Sequence, residues 1–189
     1  MPMLRGLFAA VFLAALVLPA LSADDILEAI DAARKSYQAG DMAGAKQSLD
    51  LASQLVGQKN AESFAALLPA ALPGWKAEKA ETTSVGVTVF GVTSASRRYT
   101  GPHDRDVEVR ITGDSTLVVH FAQFLINPTI AGAIGKLIRV GGQQALQTRE
   151  GSINMVVANK FLVTVDGSAD VDAKLAYARS IDIAKLSKM

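Results

Sequence analysis

Cysteine is absent from the 189 residues. That excludes disulfides, thiol catalysis, thiolate metal sites, redox exchange and a lipid-modified anchor. No Gly-x-Ser-x-Gly elbow marks an activated serine. Gly132-Ala-Ile-Gly135 and Gly141-Gly142 lack both the Walker lysine–serine pair and the dinucleotide spacing, so they read as a helix end and a hairpin. Histidine occurs twice and tryptophan once.

A long apolar span is also lacking. Leu7 to Leu18 is uninterrupted, but about a dozen residues fall short of the roughly 20 that cross about 30 Å of hydrocarbon. With Arg5 before it and Pro19, Ala20, Ser22 and Ala23 after it, this run predicts a cleaved secretory signal over residues 1–23. Cleavage after Ser22 places Ala20 at −3, whereas cleavage after Ala23 has to tolerate Leu21. The expected location is therefore periplasmic or secreted. Removing the leader takes away one arginine and no acid, leaving 18 basic against 18 acidic side chains. A neutral chain has no electrostatic grip on nucleic acid or anionic lipid, so neither is expected as a partner.

About 166 residues then remain, enough for one core and a small appendage. Residues 24–57 predict a helical hairpin. Ile26, Leu27, Ile30, Ala33 and Tyr37 recur at helical spacing, Ala39-Gly40-Asp41 breaks the run, and Ala45, Leu49, Ala52 and Val56 share the next helix's face. The hairpin carries six acids against Arg34, Lys35 and Lys46, a net −3. Residues 58–74 predict a linker with a short helix from Ser63 to Leu68, stopped at Pro69, and a Pro73-Gly74 turn. Trp75 opens the region 75–189, either as a core plug or as a ligand-stacking platform.

From there the signal is β. Val85, Val87 and Val89 alternate, and Arg97–Thr100 pairs with Val107–Ile111 around a Gly101–Asp104 loop. Four short strands follow at Leu137–Val140, Gln143–Arg149, Ile153–Ala158 and Phe161–Val165. Gly141-Gly142, Glu150-Gly151 and Asn159-Lys160 are the expected turns. Consecutive hairpins make an antiparallel meander, and a last helix spans Val171–Ile181, with Leu175, Ala178 and Ile181 inward. The fold class expected is α+β: a helical hairpin, then an antiparallel sheet covered by helices.

The segment Ser115–Gly135 carries no Asp, Glu, Lys or Arg in 21 residues. Leu117, Val118, Phe121, Phe124, Leu125 and Ile126 surround all but the stripe Thr116, His120, Gln123, Asn127, and Asn127-Pro128 caps and restarts the helix. Three readings compete: core packing under the sheet, a clamp for a greasy ligand or peptide, and membrane insertion. His120, Gln123, Asn127 and Pro128 make the last unfavourable. His103, beside Asp104 and Asp106, reads as a solvated loop tip or as part of a metal cluster, which needs three or four converging ligands. No catalytic, cofactor or metal residues are assigned.

The residues Tyr37-Gln-Ala-Gly-Asp41, with Ala33, Ala45, Leu49 and Ala52, resemble one tetratricopeptide repeat over about thirty residues. A plain helical hairpin packed on its own domain fits them equally. A single repeat cannot bury its own apolar faces, so it implies packing on the rest of the chain. The order strands, long helix, meander, terminal helix resembles the PsbP-like α/β/α sandwich over about 110 residues. The segments Leu68–Trp75 and Val156–Gly167 resemble a group of exported proteobacterial proteins. PsbP-like domains serve photosystem assembly, GTPase binding and other roles, so this resemblance implies a scaffold and no single activity. The expected function is a non-catalytic interaction module binding another periplasmic protein through Tyr37, Trp75, Leu117, Phe121, Phe124 and Leu125. The alternatives are a carrier of a small apolar ligand or lipid, and a hydrolase or metal enzyme using His103 or His120.

Overall fold

The computed structural model describes residues 23–84, 92–113 and 116–189. The segment 1–23 expected to be a secretory signal, apart from Ala23, and the expected Val85–Val89 alternation lie outside the described residues.

Helix α1 (Ala23–Gln38) ends by local chemistry. Gly40 adopts φ 78°, Gly40 N donates to Tyr37 O and Asp41 N donates to Ser36 O at 2.9 Å, the double closure of a glycine-terminated helix. Asp41 then caps α2 (Met42–Leu67), its carboxylate accepting from Gly44 N at 2.9 Å. The short link makes the pair antiparallel, as expected. One expectation is corrected: α2 runs unbroken through Gly57 to Leu67, so the short helix from Ser63 is its last turns. At 26 residues α2 is about 39 Å long. Its first half packs on α1 and its second half on the sheet, through Ala61 and Phe64. A Cβ on Gly57 would lie 3.3 Å from Ser84 Cβ, so the missing side chain gives the helix room beside the strand edge. Leu68, preceding Pro69, is extended and ends the helix.

Among the described residues the sheet has eight strands, all pairings antiparallel, and is open. Strands β1 (Lys76–Ala77) and β2 (Glu81–Ser84) both pair with β3 (Thr93–Thr100). The order continues through β4 (Asp106–Gly113) and β8 (Phe161–Asp166) to β7 (Ile153–Val157), β6 (Gln143–Thr148) and β5 (Gly135–Val140). The β3–β4 hairpin and the four-strand meander stand as expected, although Ala158 and Asn159, both with positive φ, replace Asn159-Lys160 at the centre of the last turn. Gly141 and Gly142 both have positive φ, the geometry a two-residue hairpin turn demands.

Because β4 pairs with β8 and the chain resumes at β5 on the far edge, the connection must cross β8, β7 and β6. Helices α3 (Thr116–Ile126) and α4 (Pro128–Ile134) make that crossing. Asn127 caps α4 by accepting from Thr129 N and Ile130 N, so the capped restart is as read. Helices α5 (Val171–Arg179) and α6 (Ile183–Leu186) close the chain.

Alternation along the strands sorts the core. Val107, Val109, Ile111, Ile153, Met155, Val157, Val163 and Val165 are all buried on one face, against Phe64, Tyr177, Ala178, Ile181 and Leu186. The opposite face carries a smaller cluster in which Ala131 and Leu146 are covered by Phe121, Leu137 and Val156. A segment crossing the first face locks α2 to the sheet: Pro69 O accepts from Tyr99 Oη at 2.6 Å and Arg97 Nη1 at 3.2 Å, and Leu72 N donates to Tyr177 Oη at 3.2 Å.

Candidate docking surface

The faces read from the helical spacing mix small and large residues, Ala33 with Leu27, Ile30 and Tyr37 on α1 and Ala45 and Ala52 with Leu49 and Val56 on α2, and the structure separates them. Alanines make the seam: Ala29, Ala33, Ala45 and Ala52 are buried, which lets the two backbones approach closely. The larger residues are displaced to its flank. Leu27, Ile30 and Tyr37 on α1, and Met42, Leu49 and Val56 on α2, are between 42% and 65% exposed.

Their spacing puts each set on one stripe. At 100° per residue the α1 stripe is rotated about 90° from its alanines, and the α2 stripe about 50° from its own, in the same sense along each helix. In an antiparallel pair, equal senses bring both stripes to one face. The result is an apolar strip along the hairpin.

Charge surrounds it. Arg34 pairs with Asp31 at 3.0 Å and Lys46 with Asp50 at 2.6 Å, so two of the hairpin's three bases are neutralised within it and the acidic surplus stands. These pairs are exposed and contribute little to stability.

The remaining candidate residues scatter. Trp75 is half-buried, edge-on to Tyr177 with ring centroids 5.3 Å apart, and no part of the hairpin face. Phe121 packs on the smaller core cluster, and Val118 is buried. The side chains of Leu117, Phe124 and Leu125 lie outside the described residues. Of the six candidates, Tyr37 alone lies on the strip. Sequence reasoning missed Leu27, Ile30, Leu49 and Val56 as surface residues, although the alanine spacings 29/33 and 45/52 were the signal for a close seam.

Titratable groups do not converge on a reactive centre among the described residues. His120 is exposed on α3 and His103 is exposed on the β3–β4 loop. No group of three or more His, Asp or Glu there is placed to hold a metal ion. Ser152 donates to Asp166 at 2.7 Å and Ser168 donates to Asp106. Each hydroxyl holds its carboxylate below the usual range, so these serines clamp loops rather than await a base. Burial pushes the Tyr99 phenol up to about 12 and raises that of Tyr177. Among the described residues no helix is long and apolar enough to cross a membrane. No family model, curated protein or solved structure matches the chain.

Proposed function

We propose that this protein is an exported, non-catalytic docking module whose tetratricopeptide-like hairpin receives an amphipathic, basic segment of another periplasmic protein. The observation that carries the reading is the exposed strip Leu27, Ile30, Tyr37, Met42, Leu49 and Val56 on a hairpin of net charge −3. Charge decides the occupant: a second copy would set two acidic hairpins face to face, whereas a basic helix gains attraction and steering. Burying the exposed half of each strip side chain is worth about 1 kcal/mol, so the six offset only part of an association cost of about 4–15 kcal/mol, and the partner's own apolar face and its charge supply the rest. The antiparallel sheet, with α2 and α5 on one face and α3–α4 on the other, is the rigid base and supports a PsbP-like sandwich as the scaffold.

The test uses the full mature chain and two helix-forming peptides, one of leucine and lysine and one of leucine and glutamate, titrated by fluorescence anisotropy. The Leu–Lys peptide binds the wild type, the Leu–Glu peptide does not, and a Tyr37→Lys/Leu49→Lys variant with unchanged circular dichroism binds at least tenfold more weakly. Equal binding of both peptides, or binding indifferent to the double substitution, refutes the reading. Cell fractionation and sequencing of the mature N-terminus test export.

A further inference from the structure

At one end of the sheet the β3–β4 loop (residues 101–105) and the β8–α5 loop (residues 167–170) are fastened to each other. Asp106 N donates to Ser168 Oγ at 3.0 Å, Asp106 Oδ1 accepts from Ser168 N at 3.2 Å, and Ala169 N donates to Asp106 O at 3.0 Å. Arg105 Nη1 pairs with Asp170 Oδ2 at 3.4 Å. Between the two loops lies a hollow of about 210 Å³. Its apolar wall is Trp75, Pro102, Ala169 and Ala173, and its polar rim is His103, Arg105 and Asp170.

Arg105 sets this hollow apart from an ordinary surface dimple, because it brings more hydrogen-bond donors to the rim than Asp170 engages. Asp170 Oδ1 caps α5 by accepting from Ala173 N at 2.9 Å, and its other oxygen takes Arg105. Arg105 has five N–H donors and gives one of them to Asp170. With the exposed His103 imidazole beside it, the rim presents hydrogen-bond donors above an aromatic and aliphatic wall.

We propose that this hollow binds a small aromatic carboxylate, its ring against Trp75 and Pro102 and its carboxylate on Arg105 and His103. Guanidinium and carboxylate match in geometry as well as charge. The volume is below the roughly 300–1,000 Å³ typical of sites for drug-sized molecules, which limits the ligand to about one ring. The loops are already latched, so binding orders the Arg105 and His103 side chains and no backbone. The site is distinct from the hairpin and does not rest on the docking reading.

Trp75, the single tryptophan, is a built-in reporter. Benzoate, neutral benzamide and ring-less acetate are titrated against the full mature protein by tryptophan emission and by two-dimensional amide NMR. Benzoate gives a saturable response, with amide shifts confined to residues 74–76, 101–106 and 168–173, and benzamide and acetate bind at least tenfold more weakly. Arg105→Gln weakens benzoate at least tenfold. His103→Asn, which tolerates the left-handed backbone there (φ 61°), weakens it about threefold. Ala173→Leu fills the hollow and abolishes the response. No saturable change by either method overturns the proposal. So does equal binding of benzamide, or benzoate binding unaltered in Arg105→Gln.

Discussion

Pro69 O is the point at which α2 is tied to the sheet, and its two donors allow a quantitative test. Tyr99 is fully buried, with its hydroxyl 2.6 Å from that oxygen, and Arg97 Nη1 reaches the same atom at 3.2 Å. Arg97 Nε is buried with no hydrogen-bond partner. A neutral hydrogen bond contributes about 0.5–1.5 kcal/mol net. Tyr99→Phe leaves Arg97 on the oxygen, so the expected loss is about 1 kcal/mol, or roughly 2–4 °C in Tm for a chain of this size. Arg97→Met removes one bond but also removes the unpartnered Nε, so its expected loss is no larger. The double variant differs in kind: it strands a buried carbonyl, a penalty of about 1–3 kcal/mol that neither single variant pays. Its destabilisation should exceed the sum of the two by about 1 kcal/mol or more. Urea unfolding of the four proteins, followed by circular dichroism, measures the cycle. Additivity to within about 0.3 kcal/mol would show that the donors do not share Pro69 and would refute this anchor.

Other outcomes follow from the same contacts. A Cβ at Gly101 would sit 2.7 Å from the Trp75 ring, so Gly101→Ala displaces the indole, costs about 1–3 kcal/mol and shifts its emission; unchanged emission and stability would contradict that packing. Asp41→Ala removes the cap on Gly44 N and lowers stability by about 1 kcal/mol in thermal melts. Leu49→Ser, at a position 56% exposed, costs no more than about 1 kcal/mol in unfolding, because more than half of the side chain already meets water. The Asp106 and Asp166 carboxyls are depressed chiefly by the Ser168 and Ser152 hydroxyls. Their contribution is therefore present above the unfolded carboxylate value of about 3.9 and is lost as pH falls through the folded values. Ser168→Ala should be less stable than wild type at pH 7, with the gap closing in acid; a gap as wide at pH 2.5 as at pH 7 would refute the assignment.

Elements closed by near neighbours were legible before any coordinates. Gly40 and Asp41 end one helix and begin the next through bonds spanning six residues. Asn127-Pro128 restarts the crossing helix by the same kind of contact, and Gly141-Gly142 turns a hairpin in place. Each of these depends on a handful of dihedrals and one or two hydrogen bonds, which the residues themselves dictate. Strands β1 and β2 were not legible, because Lys76-Ala77 and Glu81–Ser84 have no alternation and exist only as partners of β3. Nor was the unbroken course of α2 through Gly57, where helix propensity argues for a stop and the adjoining strand edge rewards a missing side chain.

The two proposed sites divide along that same line. Helical periodicity places alanines and large apolar residues on adjoining stripes of α1 and α2, but it cannot say which stripe is the seam. That was settled by close packing of the antiparallel pair, in which alanine admits a nearer approach and so drives leucine and tyrosine outward. The hollow joins Trp75, His103, Arg105 and Asp170, residues up to 95 positions apart. No local rule brings them together; the pairing of β4 with β8 does, because it sets the loop before β4 beside the loop after β8. Composition and turn chemistry, being short-range, determined the parts and their order. Which surfaces face water, and which distant side chains meet, was decided by the energy of burying one sheet face beneath α2 and α5.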